Sequence, residues 1–344
     1  MEVLLTKHPN ITNIHCKSVN DYYSRFIESA DKLNIATGFV SNESIVEIKR
    51  ILDYRKGEMC ISLFIGMDYI QGFTKLQYNA IVNLNEYLQN QNVGSIFLSP
   101  KALFHGKMYS FLLRNECMGA FVGSSNLGSF VGTSQNYIES DVLFDGKDAD
   151  VVNSKINQII NNLGVDFNSI PQLTKFKEQD NRLLDGYDYV TKLTESDQRR
   201  AKQNRFGNII EIPLKAEGKS NLNTYFGAGK IKGRYSPRGW YEVEIIVSKK
   251  TPNIDELPNK EDGPFVVITE DGYEFACERQ GDYSKNLRSA KDLKILGRWI
   301  KGKMECDGAL ELGEPVTEDT LKKFGKNKLL LQKTLDDKWF MSLG

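Results

Sequence analysis

Two hydrophobic patterns divide this 344-residue chain. Up to about Leu163, apolar runs of strand length such as 59–67 alternate with amphipathic segments of helix length such as 75–91. Because helices interleaved with strands cover the faces of a sheet, this part predicts a layered α/β domain. After Gly207 only short β-type runs continue, including 240–247, and turn residues separate them. This second part predicts a mostly-β domain that forms a partly open barrel.

The same patterns set the expected domain boundaries. We place the α/β domain at residues 1–166 and the β domain at residues 206–344. The stretch between them, 167–205, is polar and charge-rich with weak periodicity, which is typical of a linker that carries some helix. A chain of this length can give each domain its own core.

Overall charge does not indicate a partner, since 45 Lys and Arg balance 45 Asp and Glu and the net charge is +0. Any nucleic-acid binding must therefore come from local basic patches. The five cysteines form no C-x-x-C pair, and neither a signal peptide nor an apolar run of membrane length is present. We expect an intracellular, cytoplasmic protein that has no structural zinc and does not bind a membrane.

One histidine and one lysine stand out at the start of a predicted strand. Side chains alternate faces along a strand, so His105 and Lys107 lie on the same side. A neutral imidazole can attack phosphorus without a separate base, and a lysine beside it offsets the charge on the phosphate oxygens. The pair suits cleavage of a phosphodiester through a phosphohistidine. The same spacing at His15 and Lys17 lacks a suitable turn after it, so the spacing alone is a weak signal.

Three further residues complete the predicted catalytic set. The Gly-Ser-Ser-Asn turn at 123–126 offers the Ser124 hydroxyl and the Asn126 amide to a phosphate oxygen. Downstream, Glu139 would accept the second N–H of the imidazole and fix its tautomer. This chemistry requires no metal ion and no cofactor.

The combination resembles the phospholipase D superfamily, in which His-x-Lys is followed by a Gly-Ser turn with an asparagine and by an acid. The aspartate that the superfamily carries shortly after the lysine is absent from residues 110–113, which favours a minimal nuclease over a phospholipase. Members of the superfamily build one active site from two such motifs. The single convincing copy here therefore implies a homodimer, in which one His105 is the nucleophile and the partner's His105 is the general acid.

Basic residues with interleaved aromatic residues characterise the second domain. The segment 215–238 has six cations and one acid, and a second basic cluster covers 279–288. Arginine, glutamine and asparagine can contact base edges, whereas lysine chiefly holds phosphates. The candidate DNA-binding residues are Asn221, Asn223, Tyr225, Arg234, Arg238, Arg279, Gln280, Lys285, Asn286 and Arg288.

Four segments of this domain, 220–223, 234–242, 278–288 and 296–299, resemble the C-terminal half of NgoFVII-type restriction endonucleases. The resemblance implies a B3-like pseudobarrel with a first arm at 221–238 and a second arm at 279–288, both entering the DNA major groove. With the N-terminal motif it spans nearly the whole chain. It implies a prokaryotic type II restriction endonuclease that cuts double-stranded DNA without metal, at some distance from its recognition sequence.

Two other functions fit parts of this pattern. A phospholipase or another phosphodiesterase would share the catalytic motif, but it would need an apolar entry groove and a membrane-binding segment. A non-catalytic DNA-binding protein would share the second domain, although the intact motif argues against it. The related family members include enzymes that work with a separate ATPase subunit, and the sequence leaves open whether this chain does.

Overall fold

The structure is a computed structural model, and it describes residues 1–6, 14–130, 138–178, 184–227, 230–231, 234–235 and 238–344. For residues 230, 231, 234 and 235 it describes the backbone alone. The chain forms two compact units, Met1–Gln179 and Asp180–Gly344. The division falls within the stretch 167–205 that the sequence marks as a linker.

A nine-stranded mixed sheet forms the centre of the N-terminal unit. Its strands are β1 Glu2–Leu5, β2 Lys17–Ser18, β3 Lys32–Thr37, β4 Cys60–Ile65, β5 Gly94–Leu98, β6 Lys107–Leu113, β7 Glu116–Gly123, β8 Ser140–Phe144 and β9 Val165–Asp166. The helices are α1 Val19–Ser29, α2 Asn42–Arg55, α3 Asp68–Gln71, α4 Lys75–Gln91 and α5 Gly146–Leu163.

The strands lie in the order β2-β1-β8-β7-β6-β3-β4-β5-β9. Strands β3, β4 and β5 are parallel, and the run from β3 through β6, β7 and β8 to β1 is antiparallel. As a result, β3 and β7 end at the edge of the sheet where β6 and β8 begin.

Helices cover both faces of this sheet. On one face, α5 buries Ala149, Val152 and Ile156, which recur at helical spacing. On the other face, Tyr23 of α1 packs against Phe111 of β6 with ring centroids 6.1 Å apart. Helix α4 occupies the predicted residues, because a reciprocal capping box between Thr74 and Gln77 fixes its first turn. The predicted layered α/β domain is confirmed.

The C-terminal unit contains an eight-stranded sheet with the path β11-β18-β19-β15-β16-β17-β14, and β10 pairs with β16. Every pairing is antiparallel except that of β15 with β19, which confirms the mostly-β prediction. Its strands, including a separate two-stranded pair of β12 and β13, are β10 Thr191–Lys192, β11 Arg205–Pro213, β12 Lys230–Ile231, β13 Arg234–Tyr235, β14 Ile245–Ile246, β15 Phe265–Thr269, β16 Tyr273–Gln280, β17 Asn286–Ser289, β18 Lys328–Thr334 and β19 Trp339–Leu343. Its helices are α6 Glu195–Gln203, α7 Lys294–Cys306 and α8 Glu318–Phe324.

One predicted strand is mostly absent. The run 240–247 shows period-two burial from residue 242 onward, but only Ile245–Ile246 forms a ladder. The start of the run is drawn into the core by α7: the Trp240 indole and the Tyr241 hydroxyl both donate to the buried Glu305 carboxylate, at 2.7 and 2.9 Å. The backbone here also bonds outside a ladder, since the Trp240 carbonyl accepts from the Lys301 ammonium at 2.8 Å and the Glu242 N–H donates to the Gly239 carbonyl at 3.0 Å.

Candidate active site and DNA-binding surface

His105 lies in the loop that joins β5 to β6, two residues before β6 begins. Two backbone hydrogen bonds attach this loop to the ends of the parallel strands. The Phe104 N–H donates to the Gly66 carbonyl at 3.1 Å, and the Gly38 N–H donates to the Gly106 carbonyl at 3.0 Å. Gly66 and Gly38 directly follow β4 and β3, so His105 lies at the carboxyl edge where open α/β sheets form binding crevices.

The imidazole of His105 is exposed and packs against one aromatic side chain. Phe39 meets it edge-on, with ring centroids 5.5 Å apart and an interplanar angle of 79°. Gly38 permits this approach, because a Cβ at that position would lie 3.0 Å from the His105 Cα. The next residue along, Val40, donates its N–H to the Asp68 carboxylate at 2.8 Å, and burial raises the pKa of Asp68 to about 6. Phe39 and Asp68 carry no sequence motif that would mark them as part of the site.

Lys107 is the first residue of β6 and is buried. Its ammonium donates to the His105 carbonyl at 3.2 Å. Across the sheet it pairs with Thr37, the last residue of β3. Within the described ranges, no carboxylate forms an ion pair with Lys107. A buried cation that lacks an acidic partner is suited to bind an anionic group of a substrate.

The turn at 123–126 connects the end of β7 to the start of β8. The Ser124 N–H donates to the Ser140 carbonyl at 3.0 Å, and the Ser140 N–H donates to the Ser124 hydroxyl oxygen at 3.1 Å. The Ser124 hydroxyl itself donates to the Glu139 carboxylate. Thr6 fixes the backbone of Glu139 with a bond in each direction, at 3.0 and 3.2 Å. Glu139 is therefore held against the turn rather than left free.

A buried polar layer supports this turn. The Ser125 hydroxyl donates to the Asp141 carboxylate at 2.5 Å, and the Tyr109 hydroxyl donates to the Ser125 carbonyl at 2.8 Å. Burial raises the pKa of Asp141 and, with the nearby Asp141 charge, that of Tyr109. Among the described residues, no donor reaches the buried Oδ1 of Asn126. The motif search missed Asp141, although its period-two spacing from the buried Leu143 marks it as inward-facing.

Strand register brings these parts to one edge of the sheet. Thr37 pairs with Lys107, Met108 with Val122, and Gly123 with Asp141. The histidine loop, the lysine, the turn and the glutamate therefore follow one another across neighbouring strands. In the described part of the chain, no hydrogen bond joins Glu139 to His105. The glutamate's observed partner is the Ser124 hydroxyl.

Four candidate DNA-binding residues, Asn221, Asn223, Tyr225 and Arg279, are buried in the C-terminal unit. Asn223 donates to the Glu217 and Val316 carbonyls, both at 2.8 Å, and the Asn221 side chain accepts from the Ile246 N–H at 2.8 Å. Arg279 donates to three carbonyl oxygens, of Ile254 at 3.3 Å, Leu257 at 3.0 Å and Ser284 at 2.8 Å, and burial lowers its pKa. These side chains hold loops together and do not face solvent.

Tyr225 lies in a buried cluster with Phe226 and Trp240, at centroid distances of 4.9 and 5.3 Å. The remaining candidates whose side chains the structure describes lie at or near the surface. The partly exposed Arg238 and Arg288 both contact Glu244, each at 3.5 Å. Gln280 and Asn286 are partly exposed, Lys285 is exposed, and the Arg234 side chain lies outside the described part of the structure.

The described residues show no group of three or more His, Cys, Asp or Glu side chains placed to hold a metal ion. None of the described helices is long and apolar enough to cross a membrane.

The two units define a phospholipase D-like domain followed by a B3-like domain. The family model described as the NgoFVII restriction endonuclease N-terminal PLD domain matches residues 17–172, and that of the NgoFVII C-terminal B3-like DNA-binding domain matches residues 201–335. These matches together cover most of the chain. The chain belongs to the NgoFVII restriction endonuclease family, and it is a sequence-specific DNA endonuclease.

Two solved structures illustrate the more distant similarities. TrmBL2, an archaeal chromatin protein, shares 13% identity over 47% of this chain and 53% of its own, with a TM-score of 0.30. Nuc from Salmonella typhimurium, a phospholipase D family member, shares 18% identity over 48% of this chain and 96% of its own, with a TM-score of 0.32. Comparison with curated protein sequences gives no significant match.

Proposed function

We propose that this chain cleaves double-stranded DNA without a metal ion, through a phosphohistidine on His105, at an active site shared by two copies. The observation that carries the proposal is the pairing of an exposed imidazole with a buried lysine that has no acidic partner in the described residues. Lys107 and the turn at 123–126 would hold the phosphate oxygens, and neither role requires a metal.

The reaction would proceed in two balanced steps. An imidazole nitrogen of His105 attacks phosphorus, a P–N bond forms, and one P–O bond of the DNA backbone breaks. The leaving oxygen takes a proton from the partner's His105. That neutral imidazole then accepts a proton from water, whose oxygen attacks phosphorus and breaks the P–N bond. Both histidines return to their starting protonation states.

Glu139 takes a different role in this proposal from the one that the motif suggests. Its carboxylate accepts the single proton of the Ser124 hydroxyl, so Glu139 would fix the turn at 123–126 and leave the Asn126 amide to donate to the phosphate. Recognition of the DNA sequence would fall to the partly exposed residues Arg238, Gln280 and Arg288. The buried Asn221, Asn223 and Arg279 would shape the arms that carry them.

The first test is cleavage of a large unmethylated DNA in excess EDTA by the wild type and by His105→Ala. We expect discrete fragments from the wild type, and a rate on the order of 10⁴-fold lower from the variant. Intact DNA with the wild type in EDTA, but fragments with Mg²⁺, would contradict the metal-free mechanism. A requirement for ATP and a second protein would instead indicate a separate ATPase subunit.

Mixing the two proteins tests the shared site. If each site needs two copies of His105, an equimolar mixture after subunit exchange retains about a quarter of the wild-type activity, because random pairing leaves that fraction of intact dimers. Independent sites would retain about half, on the same random-pairing statistics. A monomer in analytical ultracentrifugation that still cleaves DNA would also overturn the dimeric site.

A further inference from the structure

Five side chains of the C-terminal unit form one continuous line of polar contacts. Arg238 lies 3.5 Å from Glu244, whose second oxygen lies 3.5 Å from Arg288. The Nε of Arg288 donates to Glu278 at 3.0 Å, and Gln280 donates to the other oxygen of Glu278 at 3.2 Å. The line therefore alternates two arginines with two carboxylates and ends on an amide.

The line joins the two arms that the sequence predicts. Arg238 ends the first arm, at 221–238, while Gln280 and Arg288 belong to the second arm, at 279–288. Strand register places Arg288 of β17 directly opposite Glu278 of β16. Glu244, just before β14, contacts an arginine from each arm, so it couples their positions.

The arginines are more exposed than the acids behind them. The side chains of Arg238 and Arg288 are 34% and 28% exposed, whereas those of Glu244 and Glu278 are 21% and 13% exposed. Two of the five N–H groups of Arg288 are directed to the carboxylates, and the other three have no acceptor among the described residues. A guanidinium fixed in this way loses less conformational freedom when it binds the O6 and N7 atoms of guanine.

The net charge of the line favours contacts with bases over contacts with phosphates. Its two positive and two negative charges cancel, so the line as a whole attracts the DNA backbone weakly. Glutamates next to a phosphate would oppose binding, whereas fixed guanidinium groups facing base edges add discrimination. A neutral, pre-oriented line therefore suits sequence reading better than non-specific binding.

We infer that Glu244 and Glu278, to which the sequence motifs assign no role, are positioning residues for DNA sequence recognition. They act by orienting Arg238 and Arg288 towards base edges and by lowering affinity for unrelated sequences. This inference rests on the proposed function, because it assumes that these arms read DNA.

The test uses the full chain carrying His105→Ala, so that binding is measured without cleavage. This parent protein is first incubated with a library of randomised DNA duplexes, and an enriched duplex and a shuffled version of it serve as probes. Glu278→Gln and Glu244→Gln are then added separately, since the amide keeps the shape and removes the charge. We expect the ratio of affinities for enriched over shuffled duplex to fall roughly 5- to 100-fold, the range for one bidentate base contact. Affinity for the shuffled duplex should stay constant or rise.

A matched control lies on the same strand. Glu274 also faces outward from β16 and is paired with Lys338 at 2.6 Å, but it lies outside the line. Glu274→Gln should leave the ratio unchanged. If Glu278→Gln and Glu244→Gln keep the affinity ratio of the parent protein, the inference is wrong. A lower unfolding temperature with an unchanged ratio also contradicts it, since that outcome shows a purely structural ion pair. Failure of the parent protein to enrich any duplex would instead refute recognition by these arms.

Discussion

The contact between Gly38 and the histidine loop gives a quantitative test of the active site. In Gly38→Ala, the new Cβ would lie 3.0 Å from both the His105 Cα and the Phe104 carbonyl oxygen. Ordinary contacts begin at 3.4 Å, so the loop must move by about 0.4 Å. A misplacement of about 1 Å costs about 10²-fold in rate. Scaling that cost to the smaller shift predicts a cleavage rate roughly five- to tenfold lower.

The assay is single-turnover cleavage of unmethylated DNA by Gly38→Ala, the wild type and His105→Ala. Affinity for DNA serves as the internal control, because the B3-like DNA-binding domain lies in the other unit. Thermal unfolding confirms that the variant is folded. A folded variant that cleaves within twofold of the wild type would refute the argument that Gly38 sets the position of His105, on the scale above.

Three further predictions concern stability, and a fourth concerns DNA binding. Glu305→Ala should lower the free energy of unfolding by about 2–5 kcal/mol in a denaturant titration, because it leaves the buried Trp240 indole and Tyr241 hydroxyl without their acceptor. Glu305→Gln keeps an acceptor oxygen and should lose less. Burial raises the folded-state pKa of Asp68 from 3.8 to about 6, so its stabilising contribution is present at low pH and lost as the pH rises through about 6. Between about pH 4 and pH 7, the free energy of unfolding of Asp68→Asn should rise by about 2–3 kcal/mol relative to that of the wild type. Parallel plots of the two free energies against pH would contradict this. Arg279→Ala should lower the unfolding temperature by several degrees, as expected for the loss of a buried hydrogen-bonded group. Arg238→Ala should weaken binding to an enriched duplex by ~1–3 kcal/mol without a change in unfolding temperature.

Much of the N-terminal fold was predictable because its local signals agree with its packing. The segment 75–91 has apolar residues at helical spacing and a capping pair in front, and it forms α4 over those residues. The strand 107–113 was also predicted with its observed bounds. In α4 the buried residues are mostly apolar and recur at helical spacing, whereas β6 is a short, nearly continuous buried run, and both patterns indicate the observed element.

The second unit was harder to predict because some of its buried positions are polar. Helix α7 buries Lys294, Lys301 and Glu305, and these charged residues interrupt the apolar face that would mark a helix. The strand-like run 240–247 has the correct alternation near its end, but the backbone at its start bonds to the Lys301 side chain and within a turn instead of in a ladder. Neither contact is visible from local sequence, since each joins residues about 60 positions apart.

For the sites, the identity of a functional residue was easier to predict than the direction in which its side chain points. His105 and Lys107 were identified by their spacing. The buried hydrogen bonds of Asp141 depend on how the strands pair, and the motif does not predict that pairing. Arg279 continues the inward alternation of Phe275 and Cys277, which is a sequence signal for burial. The prediction instead gave Arg279 a DNA-binding role, because it lies in a basic cluster.

The alternation along β16 also bears on how new specificities can arise. Outward positions 278 and 280 face solvent, while inward position 279 ties the strand to neighbouring loops. In the proposed function, sequence reading and folding therefore use opposite faces of one strand. On this proposal, substitutions at outward positions can change the recognised sequence and leave the scaffold intact. Substitutions at inward positions destabilise the fold, so they are not retained. Libraries that diversify only the outward face should sample new target sequences with few unfolded members.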